Sequence, residues 1–169
     1  MTGVQTCALP ICRDTTEFAC DSLEWWWVEH GQRVYPATRV VGLLCDGGGS
    51  NSARKHLFKY DLQRLSDRLG LEFRVAHYPP YCSKYNPIER RLFPHVTRAC
   101  QGVLFDSQST VQRLIEKTHT ATGLGVEVHT MNKEYPAGRQ CPQDFKNAMP
   151  VLFDAFLPKW NYRVVPVSR

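Results

Sequence analysis

Residues 39–51 read RVVGLLCDGGGSN. The apolar run from Val40 to Cys45 has the length of a strand and stops at Asp46 and three glycines. A continuous run without alternation predicts a strand buried in a sheet that is covered on both faces. Downstream, Leu57, Phe58, Leu62, Leu65 and Leu69 recur at helical spacing from about Ser52, and Gly70 ends the pattern, so an amphipathic helix is expected. Glu72 to His77 (EFRVAH) then alternates as a second strand before Pro79-Pro80. Strand, helix, strand implies a parallel crossover and an α/β fold.

Upstream, TTEFACDSLEWWWVE (15–29) predicts a helix capped by Thr15 or Thr16 and ended by Gly31. Trp25, Trp26 and Trp27 span about 200° of such a helix, so at least one is expected outside the core. Downstream, Asn86-Pro87-Ile88-Glu89 opens a helix expected to run to about Cys100, with Pro87 in the first helical position. A helix over Ser109–Thr120 and a strand over Gly125–Thr130 follow. Prolines at 136, 142, 150, 158 and 166 leave room for a short helix near Gln143–Phe156 and a last strand, NYRVV.

The chain has 169 residues, 43 % of them hydrophobic, which suits one folded domain and argues against disorder. No run approaches the roughly 18 apolar residues of a spanning helix. A soluble cytoplasmic protein without a membrane partner is therefore expected. The net charge of +5 leans towards an anionic partner. The seven cysteines are scattered and include no CxxC pair, so neither a disulfide framework nor a structural zinc site is expected, and Cys20 and Cys45 read as small core residues.

Two carboxylates stand out, each with two readings. Asp46 ends a buried parallel strand, where open α/β sheets place ligands, but it also suits an Asx-turn before a helix capped by Ser50 or Asn51. Glu89 completes a capping-box pattern with Asn86. Yet Lys84, Arg90 and Arg91 crowd cations around it, as a phosphodiester would require. His77 ends its strand and could contact phosphate or serve the fold.

DTTEFACDSLEWWW, LLCDGGGSN, HYPPYCSKYNPIERRLF, LIEKTHTATGL and KWNY resemble, in order and spacing, the ISAzo-type family of bacterial insertion-sequence transposases of the DDE type. The resemblance implies an RNase H-like, retroviral integrase-type catalytic core. In that family two aspartates and a glutamate hold two divalent ions, usually Mg2+, about 3.5 to 4 Å apart for DNA strand cleavage and transfer. Asp46 matches the second aspartate and Glu89 the glutamate. Lys84, Arg90, Arg91 and His77 become the expected DNA contacts, the partner is DNA, and a homo-oligomer on DNA is implied. No small-molecule substrate is implied. The chain departs from the family at Tyr81-Cys82, where small residues are usual, at Tyr85 for tryptophan, and at Arg90 for histidine.

In an RNase H-like fold the first aspartate lies on a strand ahead of the helix that begins near Thr15. Asp14 and Asp21, the nearest upstream acids, match the start of that helix instead. The expected organisation is therefore a partial catalytic core over 13–125 that lacks its first strands, with a C-terminal extension over 126–169. The chain alone is expected to be inactive. Residues 1–12 are expected to be disordered, since MTGVQTCALPI resembles a translated sequencing-library adapter. Two rivals remain: another RNase H-like nuclease, and a non-catalytic or domesticated DNA-binding fragment.

Overall fold

The computed structural model describes residues 3–79 and 81–167. In chain order the elements are β1 (Gly3–Pro10), α1 (Thr16–Trp26), a π-helical turn (Trp27–Gly31), α2 (Gln32–Val34), β2 (Val40–Cys45) and α3 (His56–Leu69). There follow β3 (Glu72–His77), a 3₁₀ turn (Ser83–Tyr85), α4 (Pro87–Arg91), α5 (Phe93–Cys100), α6 (Gln108–Glu116) and β4 (Leu124–Met131). The chain closes with α7 (Gln143–Asn147), β5 (Leu152–Phe153) and β6 (Asn161–Val164). They form two compact units, one of residues 13–82 with 135–169 and the other of residues 1–12 with 83–134. The expected boundary at 125 is thus corrected. It would cut β4, whose whole length pairs with β1.

The larger unit holds a mixed sheet in the order β2-β3-β6-β5. β2 and β3 run parallel from Val40↔Glu72 to Cys45↔His77, the crossover the sequence predicts, and β6 lies antiparallel to β3 with Val75 opposite Tyr162. Helix α3 packs on β3, β6 and α1. Phe58, Leu62 and Leu65, spaced by four and three, share one buried stripe with exposures of 1 % or less. Gly70 ends α3 at φ 65°, a left-handed conformation that lets its N–H bond back to the Ser66 carbonyl.

Strand β2 departs from expectation. Its inward residues, Val41, Leu43 and Cys45, join the core, but Val40 and Leu44 are 38 % and 62 % exposed. The run therefore faces protein on one side only. Helix α1 begins as predicted, with Thr15 Oγ1 accepting from the Phe18 N–H at 3.1 Å. It then widens into the π turn. Trp27 is buried in the core and half-buried Trp26 packs against it, while half-buried Trp25 is not part of that core. Gly31 is required here, because a Cβ would lie 2.5 Å from Trp27 Cε3.

In the smaller unit the expected disorder of residues 1–12 is corrected for residues 3–10, and residues 1 and 2 lie outside the described residues. Gly3–Pro10 forms a strand paired in parallel with β4, Gly3 opposite Leu124 and Pro10 opposite Met131. Cys7 and Leu9, two apart and so on one face, pack against the core of Leu92, Ile115, Leu124, Val126 and Val128. The helix expected over 86–100 is two helices that break at Leu92 (φ −120°, ψ −54°). Pro94 has no N–H to offer the Arg90 carbonyl, so a continuous ladder cannot form.

Candidate functional site

Asp46 leaves the end of β2 on an exposed turn. Among the described residues no hydrogen bond reaches its carboxylate, so the Asx-turn reading is not realised. A Cβ at Gly48 would meet nothing within 4 Å, while one at Gly49 would lie 3.8 Å from Asp14 Oδ2. The main chain, by contrast, is held. The Asp46 carbonyl lies 3.4 Å from His77 Nδ1, and Ser50 Oγ donates to Asp14 Oδ1 at 2.7 Å. A carbonyl only accepts, so Nδ1 carries the proton, and Nε2 accepts from the Tyr162 hydroxyl at 3.3 Å.

His77, expected at the DNA backbone, is instead 4 % exposed with both ring nitrogens engaged inside the unit. Burial pushes its pKa down, against a smaller upward pull from the Asp46 carbonyl. It is a neutral internal residue that braces the Asp46 turn. Burial, with the nearby Asp46 charge, pushes the Cys45 thiol up to about 12, so this cysteine is a core residue and no nucleophile.

Tyr81 is the third residue of a tight turn closed by the Cys82 N–H on the Pro79 carbonyl at 3.2 Å. Its φ of 65° is left-handed and its side chain is fully exposed, so nothing in the packing offsets the strain. This is a glycine or asparagine position. The left-handed region costs an L-residue about 1–2 kcal/mol, and glycine's extra freedom when unfolded costs about 0.5–1. Tyr81→Gly is therefore expected to stabilise the protein by about 0.5 to 1 kcal/mol in urea unfolding. A lower midpoint would show that the tyrosine ring is wanted where it stands.

Glu89 lies on α4 in the smaller unit. Asn86 caps that helix by accepting from the Ile88 N–H at 3.3 Å, while Glu89 sends no side-chain bond back to Asn86. The reciprocal half of the capping box is missing, and the exposed carboxylate has no partner among the described residues. Arg90 and Arg91, equally without an acidic partner there, line a cleft of about 370 Å³ with His95, Thr120, Thr122 and Leu124. Sequence reading singled out the two arginines as expected DNA contacts. It missed His95 and the threonines, which come from another helix and from the turn before β4. Lys84 is exposed with its ammonium 5.0 Å from the Tyr85 ring centre.

The two predicted carboxylates thus belong to different units. Among the described residues no group of three or more His, Cys, Asp and Glu stands together as metal donors, so neither unit by itself fits a complete ion site.

A family model described as the Rhodopirellula transposase DDE domain matches residues 4–166. The chain belongs to this transposase family. The match takes in both units and begins within β1. No curated protein and no solved structure matches the chain. Membership implies an RNase H-like fold, consistent with the mixed α/β structure, and DNA as the partner. DDE transposase domains generally use divalent metal ions. No helix among the described residues is long and apolar enough to cross a membrane.

Proposed function

We propose that this transposase domain cleaves and joins DNA strands, with Asp46 and Glu89 as the second and third carboxylates of a two-ion magnesium site. The observation that carries the reading is the family match over both units, which includes both motifs. The freedom of both carboxylates supports it, since neither is spent on the turn or the cap that would otherwise explain it. The protein would work in the cytoplasm, as an oligomer on DNA. Placed in a transposase that supplies the first aspartate, Asp46→Asn or Glu89→Gln is expected to lower the rate of strand cleavage by on the order of 100-fold or more, beyond the usual cost of losing an outer-shell residue. A loss of only a few-fold in both would sink the assignment. The 169 residues alone are expected not to nick DNA, and magnesium-dependent nicking that Asp46→Asn abolishes would overturn that expectation.

The cleft of Arg90, Arg91, His95, Thr120 and Thr122 supplies cations and hydroxyls suited to backbone phosphates. Arg90→Gln with Arg91→Gln is expected to weaken duplex binding by the purified chain and to lower the slope of log K against log salt by about 2, roughly one per lost contact. An unchanged slope would place the DNA elsewhere. A non-catalytic DNA-binding role is the second reading, favoured by the lack of a three-donor cluster among the described residues. It predicts the same salt dependence, with no cleavage even when the first aspartate is supplied.

A further inference from the structure

Lys59, on the first turn of α3, is 3 % exposed, and among the described residues no carboxylate pairs with it. A buried cation without a counter-charge costs stability. Its ammonium donates to the Ala53 carbonyl and stands 4.8 Å from the centre of the Tyr162 ring. The Tyr162 hydroxyl in turn meets His77, and His77 meets the Asp46 carbonyl. On a separate path Asp14 holds Ser50. Side chains from α3, from β3 and from just before α1 thus fix three points, Asp46, Ser50 and Ala53, of one segment that contains three consecutive glycines. Those glycines impose no backbone conformation of their own. Packing does not require the charge either, because methionine would fill much the same space without desolvating an ammonium.

We propose that Lys59, together with the Tyr162–His77 pair, is a positioning element that holds the Asp46 turn in one conformation at the expense of overall stability. The proposal rests on the reading of Asp46 as a functional carboxylate. The test is Lys59→Met in the 169-residue chain, followed by thermal unfolding and amide hydrogen exchange. The expected result is a midpoint that holds or rises, while amides 47–51 exchange on the order of 10-fold faster and those of β2 and β3 are unchanged. A lower midpoint with the turn as protected as before is what plain core packing predicts, and it overturns the proposal. Tyr162→Phe removes the hydroxyl and keeps the ring. It should speed exchange at Gly47 alone or most strongly, and an unchanged rate there also counts against the proposal, even if Lys59→Met does not fold. Line broadening by Mn2+ at the turn, with and without Asp46→Asn, separates the two ideas. Broadening that survives Asp46→Asn removes the metal reading of Asp46 and leaves the positioning element standing.

Discussion

Leu62→Ala is expected to lower the stability of the larger unit by about 3 to 5 kcal/mol, the upper part of the range for a buried leucine. Leu62 is 0 % exposed, and its neighbours in the stripe, Phe58 and Leu65, are 1 % and 0 % exposed. It sits mid-helix on α3, between the sheet and α1, so no nearby chain end can move in to fill the space. The loss combines the transfer of three carbon groups with an unfilled cavity. Urea unfolding should show a lower midpoint at unchanged slope. Leu69→Ala, on the same stripe but only partly buried, is the control and should cost about a third as much. Equal losses at the two sites would mean that the stripe is not the core of this unit.

Arg139→Met is expected to cost about 3 kcal/mol. Asp61 on α3 has a side chain only 6 % exposed, and it accepts two bonds from Arg139, at 2.8 and 3.0 Å, and one from Thr16 Oγ1 at 2.6 Å. Arg139 also reaches Glu17 at 3.1 Å, so one guanidinium ties the segment after Tyr135 to α1 and α3. Without it a buried carboxylate keeps a single hydroxyl. Breaking a buried pair costs about 3–5 kcal/mol, and the 25 % exposure of the arginine points to the lower end. Asp61→Leu in the Arg139→Met background should recover much of the loss, because the stranded charge goes with it. A loss under about 1 kcal/mol in the single variant would show that water replaces the guanidinium.

Local grammar made much of this legible. The alternation of EFRVAH, the spacing of Phe58, Leu62 and Leu65, the Thr15 cap and the Gly70 stop each rest on neighbours within a few residues, and each appears in the structure. The failures at β2 and His77 required knowledge of distant partners. Nothing within VVGLLC says that Val40 and Leu44 face no covering layer. The π turn at Trp27–Gly31 departs from the uniform 100° rotation on which the helix reading rests. The break at Leu92 was readable from Pro94. For the candidate site, motif order singled out Asp46 and Glu89, while the exposure expected of His77 fails because its ring meets Tyr162 some 85 residues later. Asp14 was read as a helix-start acid, and its bond to Ser50 crosses 36 residues.

The pairing of Gly3–Pro10 with Leu124–Met131 asks little of its first partner: main-chain groups in extended register and two small or aliphatic side chains, Cys7 and Leu9, turned to one face. The two partners are far apart in sequence, so one edge of residues 124–131 is covered only while residues 3–10 hold register with it.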